Sequence, residues 1–197
     1  SAEKIHTWVI EKQYKVNFLI NNAGMGGVGA FEEYSFEYVN QMLELNIIAT
    51  TNLTHYFIPE LKKNAPSHLL NNASMIANFP CPYKSIYAAS KVYVKNFTSA
   101  LRVELDPYNI SVSVLQPGAT PTNKIVVNQI NNGGFLAKIS VTNVEVVAKK
   151  AIRKTLNGKL IIVPGWKNRI SLGALRVLPP FILKRMILNS TKSLRNE

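Results

Sequence analysis

The chain has 197 residues, 47% of them hydrophobic, a size and apolar content that fit one globular domain with a sizeable core and exclude a disordered chain. A single cysteine, Cys81, excludes an internal disulfide framework and a CxxC metal site, and the scattered His6, His55 and His68 give no metal-ligand spacing. The formal charge of +12 is spread singly along most of the chain and thickens only after Lys149, with no basic tract interleaved with aromatics, so nucleic acid is not expected as a partner, whereas a phosphate-bearing cofactor or a membrane surface is compatible with it.

Residues 2–13 place Ile5, Trp8 and Val9 at helical spacing, and 16–20 is a short apolar run that ends in asparagine and glycine, which predicts a helix and then a buried strand. Ser35 is the expected N-cap of a long helical stretch through Val39, Met42, Leu43, Ile47, Leu53, Phe57 and Leu61, with an irregularity near Asn46. Residues 68–74 and 110–116 read as strands on either side of a helix from about Ser85 to Asp106. A helix over 143–156 and a strand over 159–163, ending in Pro164-Gly165, complete the series. Helices alternating with four short, nearly all-apolar strands predict an α/β fold with a parallel sheet covered on both faces. Ligands of such sheets bind beyond the carboxyl ends of the strands, here after residues 20, 74, 116 and 163. With no apolar run long enough to span a bilayer and no signal-like start, the expected location is cytoplasmic.

Residues 24–29 (GMGGVG) match GxGxxG after a strand, yet five residues, Ala30 to Tyr34, separate them from the Ser35 cap. A phosphate-binding turn needs its last glycine in the opening turn of a helix, so a flexible loop over a ligand cleft is the better reading.

Tyr87 and Lys91 lie four residues apart on one helix and project from one face. Ser74 lies thirteen residues before Tyr87, at a strand end, where the hydroxyl, the phenol and the ammonium can converge on one cleft. A nearby cation favours phenolate and should lower the Tyr87 pKa, and a neutral hydroxyl can hold a carbonyl oxygen without competing for the proton.

Asn21-Asn22-Ala23-Gly24, Asn46, Ser74, Tyr87-x-x-x-Lys91 and Pro117-Gly118 with Thr122 together resemble the short-chain dehydrogenase/reductase family, in order and in spacing. The resemblance implies a Rossmann-like doubly wound sheet and an NADP- or NAD-dependent oxidoreductase that interconverts a carbonyl and a secondary alcohol. It implies that Tyr87 is the acid/base, that Lys91 lowers its pKa and binds the nicotinamide ribose, that Ser74 orients the carbonyl and that Asn46 anchors a water leading to Lys91. Asn22, Ala23 and Gly24 would border the adenosine half of the cofactor, and Pro117, Gly118 and Thr122 its nicotinamide end. Family members open with a strand and a TGxxxGxG loop that these 197 residues do not contain, so an N-terminally incomplete sheet with an exposed edge at 16–20 is expected. The chain thus divides into a catalytic domain, 1–165, with a substrate-covering segment at 119–142, and a basic amphipathic segment, 166–197, interrupted by Pro179-Pro180. Ile125 to Val127, with Pro80, Cys81 and Pro82, suit a small apolar substrate. The family resemblance implies a homodimer through the helices around 47–62 and 85–106. The segment 166–197 is suited to peripheral membrane contact, and an inactive membrane-surface or protein-binding module is the alternative to an enzyme.

Overall fold

The computed structural model describes residues 1–122, 124–132, 138–179, 181–182 and 185. Four strands, β1 (Phe18–Asn21), β2 (Ser67–Asn72), β3 (Ile110–Leu115) and β4 (Ile161–Ile162), form one parallel sheet in the order β1-β2-β3-β4. Parallel neighbours need crossovers, and helices supply them. The chain starts with α1 (Ala2–Glu11), and α2 (Phe36–Leu43) and α3 (Ala49–Lys63) link β1 to β2. The crossover from β2 to β3 is α4 (Ser85–Leu105); α5 (Lys124–Asn132) and α6 (Val144–Leu156) precede β4, and α7 (Trp166–Val177) follows it.

Alternation along β2 sends neighbouring leucines to opposite faces. Leu69 packs with Leu61 of α3, Leu101 and Leu105 of α4, and Ile110 and Val112 of β3. Leu70 packs with Leu115, with Val147 and Ala151 of α6, and with Ile162. Both faces of the sheet are therefore covered, which is why its strands read as continuous apolar runs. Among the described residues β1 pairs with β2 alone, and its Ile20 is 46% exposed, so the edge expected at 16–20 is open there.

The last expected strand is shorter than 159–163 because the amide of Lys159 turns back to the carbonyl of Lys154, through Gly158 at φ 69°, and so belongs to the end of α6. Pairing with β3 starts at the Leu160 carbonyl, which accepts from the amide of Val114 at 2.7 Å. Ordinary pairing likewise stops β2 at Asn72 rather than Ser74. Two further amides nevertheless carry the linkage outward, Ala73 N–H to the Leu115 carbonyl (2.8 Å) and Met75 N–H to the Pro117 carbonyl (3.0 Å), so the two strand ends stay side by side around Ser74.

Buried polar groups fix the same end of the sheet. Asn21 Nδ2 donates to Thr54 Oγ1 (2.9 Å) and to Asn71 Oδ1 (2.8 Å), and Asn71 Nδ2 donates to Thr98 Oγ1 (2.9 Å). A one-residue slip of β1 would leave these amides unpaired in the interior, a cost of about 1–3 kcal/mol per group.

A second knot lies beyond β3 and β4. Asn168 of α7, buried, donates from Nδ2 to the carbonyls of Ser140 and Pro164 and to Thr142 Oγ1, each at 3.0 Å. The Thr142 amide donates to the Ala119 carbonyl and the Ala119 amide to Ser140 Oγ. A Cβ on Gly118 would overlap the Ser140 carbonyl oxygen and stand 2.6 Å from Asn168 Nδ2. Gly118→Ala is therefore expected to destabilise the fold by about 3 kcal/mol, because backbone and not a flexible side chain must give way. Urea denaturation checks this, and a loss under about 1 kcal/mol would show that the knot yields.

Among the described residues no helix is long and apolar enough to cross a membrane, and no group of three or more His, Cys, Asp or Glu side chains is placed to hold a metal ion.

Candidate active site

The irregularity expected near Asn46 is a π-helical turn, Glu44–Ile48, between α2 and α3. Such a turn rotates one residue out of helical register and recurs at functional sites. Here it turns Asn46 inward, to 1% exposure. The Asn46 amide then grips the loop after β1 from both sides, accepting at Oδ1 from the Met25 amide (2.9 Å) and donating from Nδ2 to the Met25 carbonyl (2.9 Å).

That loop is the glycine-rich stretch 24–29. No helix opens at Gly29; a short 3₁₀ turn, Phe31–Glu33, intervenes before Ser35, whose Oγ accepts from the Tyr38 amide and caps α2. The loop is anchored rather than loose. Besides the Met25 contacts, Tyr38 Oη donates to the Gly26 carbonyl (2.9 Å) and the Gly29 amide to the Tyr83 carbonyl (2.9 Å). A Cβ on Gly26 would sit 3.3 Å from the Tyr87 ring, so the bare backbone lies against that ring.

Ser74 follows β2 and caps the 3₁₀ turn Met75–Asn78, its Oγ accepting from the Ile76 amide at 3.3 Å. Tyr87 occupies the first turn of α4, with the Ser74 hydroxyl near enough to act on its phenol. Lys91 lies one turn on, 5% exposed, with Nζ donating to the Asn72 carbonyl at 2.8 Å and standing 5.9 Å from the Tyr87 ring centroid. A Cβ on Gly24 would lie 3.1 Å from Asn46 Oδ1 and 3.2 Å from Lys91 Nζ, so both groups converge on one point beneath the loop. Asn46, Ser74, Tyr87 and Lys91 are thus brought together.

Ser90 is part of this cluster and was not identified from the sequence. Its hydroxyl accepts from Asn46 Nδ2 (3.0 Å) and donates to the Tyr87 carbonyl (2.8 Å), which links the π turn to α4. Its position three residues after Tyr87 on the same helix face was the available signal.

The electrostatics differ from the expectation that Lys91 lowers the Tyr87 pKa. Burial pushes the Tyr87 phenol above its ordinary value, with the Ser74 hydrogen bond acting against that rise. Burial also brings the Lys91 ammonium down to about 8. Loss of hydration outweighs mutual attraction at this site because both groups sit under the loop. Tyr87 is therefore a protonated phenol at neutral pH.

Asn22, Ala23 and Gly24 are exposed at the end of β1, and Asn22 Oδ1 accepts from Asn72 Nδ2 at 2.9 Å. Pro117 and Gly118 are half-buried at the end of β3, and Thr122 is exposed. Pro80 is exposed, while Cys81 and Pro82 are half-buried between Ser74 and Tyr87; burial raises the Cys81 thiol pKa, which makes it a packing group and not a nucleophile. Of the substrate-covering segment, residues 123 and 133–137 lie outside the described residues; Ile125 to Val127 fall on α5.

The family model for short chain dehydrogenases matches residues 1–134. The chain is similar to a 3-ketodihydrosphingosine reductase of Bacteroides thetaiotaomicron, 34% identical over 110 residues that cover 56% of this chain and 41% of that protein. It is also similar to 11-beta-hydroxysteroid dehydrogenase-like 3 of Arabidopsis thaliana, 33% identical over 156 residues that cover 77% of this chain and 49% of that protein. Among solved structures, a 3-ketoacyl-(acyl-carrier-protein) reductase from Brucella melitensis complexed with NADH superposes with a TM-score of 0.67 at 25% identity, over 84% of this chain and 73% of that one. A short chain dehydrogenase from Burkholderia cenocepacia in complex with NADP shares the fold, with a TM-score of 0.78 at 21% identity over 94% and 74% of the two chains. The chain belongs to the short-chain dehydrogenase family. It spans about half the length of these two curated relatives.

Proposed function

We propose that this protein is an NADP- or NAD-dependent oxidoreductase that interconverts a carbonyl and a secondary alcohol on a small apolar substrate. The observation that carries the reading is the convergence of Ser74, Tyr87 and Lys91 at the carboxyl end of the sheet, with Lys91 buried and donating to the Asn72 carbonyl beside them. When bound, a nicotinamide cofactor supplies the hydride. The residues present suit it: Gly24 lacks a side chain where a Cβ would stand 3.2 Å from Lys91 Nζ, so the ammonium lies close against the backbone that follows β1. Asn22, Ala23 and Gly24 would border its adenosine half, and Pro117, Gly118 and Thr122 its nicotinamide end.

In the reducing direction Ser74 donates a hydrogen bond to the carbonyl oxygen and Tyr87 delivers its phenolic proton to the same atom as the adjacent carbon is reduced. The alcohol leaves, and Lys91 stabilises the phenolate that remains until water restores its proton. Asn46 and Ser90 hold the loop and α4 in the register this transfer needs. Val126 and Val127 of α5, with Pro80 to Pro82, supply an apolar wall, suited to a ketone, a 3-oxoacyl group or a hydroxysteroid-like alcohol. The same reading gives a homodimer through the faces of α3 and α4, where Val103 stands in solvent, and a peripheral membrane contact through residues 166–197.

Nicotinamide absorbance followed with a panel of apolar ketones on the full-length gene product tests the activity. Turnover of at least one panel member is expected. Nucleotide binding without turnover of any ketone or alcohol would overturn the assigned chemistry, and absence of both would favour a binding module.

A further inference from the structure

We infer that the outward face of α7, with the turn that follows it, is a docking surface for an anionic lipid bilayer; this rests on the membrane contact proposed for residues 166–197 and not on the catalytic chemistry. Charge is the first observation. Twelve of the 23 Lys and Arg residues lie after Glu145, together with only one acidic residue, Glu197, so this stretch carries +11 of the formal +12. The rest of the chain is nearly neutral.

The second observation is that α7 has two apolar faces. Asn168, Leu172 and Leu175 are buried against the domain. On the opposite side Trp166, Ile170, Gly173 and Ala174, at spacing i, i+4, i+7 and i+8, face solvent, with Trp166 68% and Ile170 63% exposed. Lys167 and Arg169 flank this stripe, and Trp166, Arg169 and Ile170 line a shallow groove on it. Beyond Pro179, Phe181 is 73% exposed, followed by exposed Ile182 and Arg185.

An apolar stripe that contains tryptophan, bordered by cations and free of acidic residues, matches the boundary between acyl chains and anionic headgroups. A second copy of this chain fits poorly, because like-charged faces would meet. α7 follows the carboxyl end of β4, the same edge of the sheet that carries Ser74, Tyr87 and Lys91, and Asn168 ties it to Ser140, Thr142 and Pro164. Docking through α7 therefore places that edge of the sheet near the lipid, a source of apolar substrates.

Co-sedimentation of the full-length protein with sucrose-loaded vesicles tests this. Vesicles of phosphatidylcholine mixed with phosphatidylglycerol are expected to bind it, in a manner weakened by salt, and phosphatidylcholine alone to bind roughly tenfold less or weaker still. Trp166→Ser with Ile170→Ser, at exposed positions that leave the melting curve unchanged, should lower binding by about tenfold or more. Arg169→Glu, which leaves the apolar stripe intact, should lower it by roughly fivefold or more. Equal binding to both vesicle types, no binding at low salt, or undiminished binding by the Trp166/Ile170 variant would each overturn the inference; the last would point to an unspecific polyanion site instead.

Discussion

Tyr87→Phe is expected to lower the turnover number for ketone reduction by about 10³-fold, leaving the affinity for nicotinamide cofactor within about twofold and the melting temperature nearly unchanged. The substitution removes one oxygen and keeps the ring against which the Gly26 backbone packs. What disappears is the phenolic proton that the carbonyl oxygen would receive. The pH dependence follows from the same geometry. Burial raises the Tyr87 phenol and brings Lys91 to about 8. Reduction needs Tyr87 protonated and is best served by charged Lys91, so kcat/KM for the ketone should be flat near neutrality and fall as pH rises through about 8. Alcohol oxidation, which needs the phenol to have lost its proton, should rise over the same range. Steady-state rates of wild type and variant across pH 6–10 check both statements. A loss under about tenfold in the Phe variant would remove Tyr87 from the chemistry.

Much of this site was legible in the sequence because its parts are local. Tyr87 and Lys91 share a helix whose period sets their common face, and Ser74 sits beside a strand end. Asn46 could be singled out as an irregular position, yet only the folded chain shows that the irregularity is a π turn and that the amide holds Met25. The glycines at 24–29 were legible as a loop and not as a phosphate-binding turn, from the distance to the Ser35 cap. Their anchoring depended on Tyr38 and Tyr83, residues from two other segments, which no local pattern announces. The pKa order was the least legible feature. Spacing places Lys91 within reach of Tyr87, but the balance between attraction and lost hydration depends on how deeply both are covered, a tertiary quantity. The same holds for Asn168, which looks like any polar helix residue until Ser140, Thr142 and Pro164 are brought around it.

The polar interior shows how this fold divides its labour. Asn21, Asn71, Thr54 and Thr98 hydrogen-bond one another between the sheet and helices α3 and α4, with Asn21 Oδ1 left without a partner, and so fix strand register without charge. Lys91 is different: it is a charged group in the same interior with a backbone carbonyl, Asn72, as its hydrogen-bond acceptor. Buried charge of that kind costs stability, and proteins retain it where function requires it.

Lys91→Met should therefore separate activity from stability. Ketone reduction is expected to fall at least about 10²-fold, because the phenolate left after proton transfer loses its cation. Stability at pH 7 should rise. The folded-state pKa of about 8 lies below the ordinary lysine value of 10.5, so the unfolded chain binds the proton more tightly than the native one. The native state bears the full cost below about pH 8, and that cost is relieved as pH climbs from 8 toward 10.5. Methionine fills nearly the same space without the charge. After an allowance of about 1 kcal/mol for the lost hydrogen bond to Asn72, a gain on the order of 1–2 kcal/mol remains, or roughly 2–8 °C in Tm. The gain should shrink by pH 10, where wild type has shed most of the penalty. Urea denaturation of both proteins at pH 7 and pH 10 decides the matter. A variant no more stable than wild type at pH 7, or one whose advantage persists undiminished at pH 10, would show that the Lys91 ammonium carries no net burial cost.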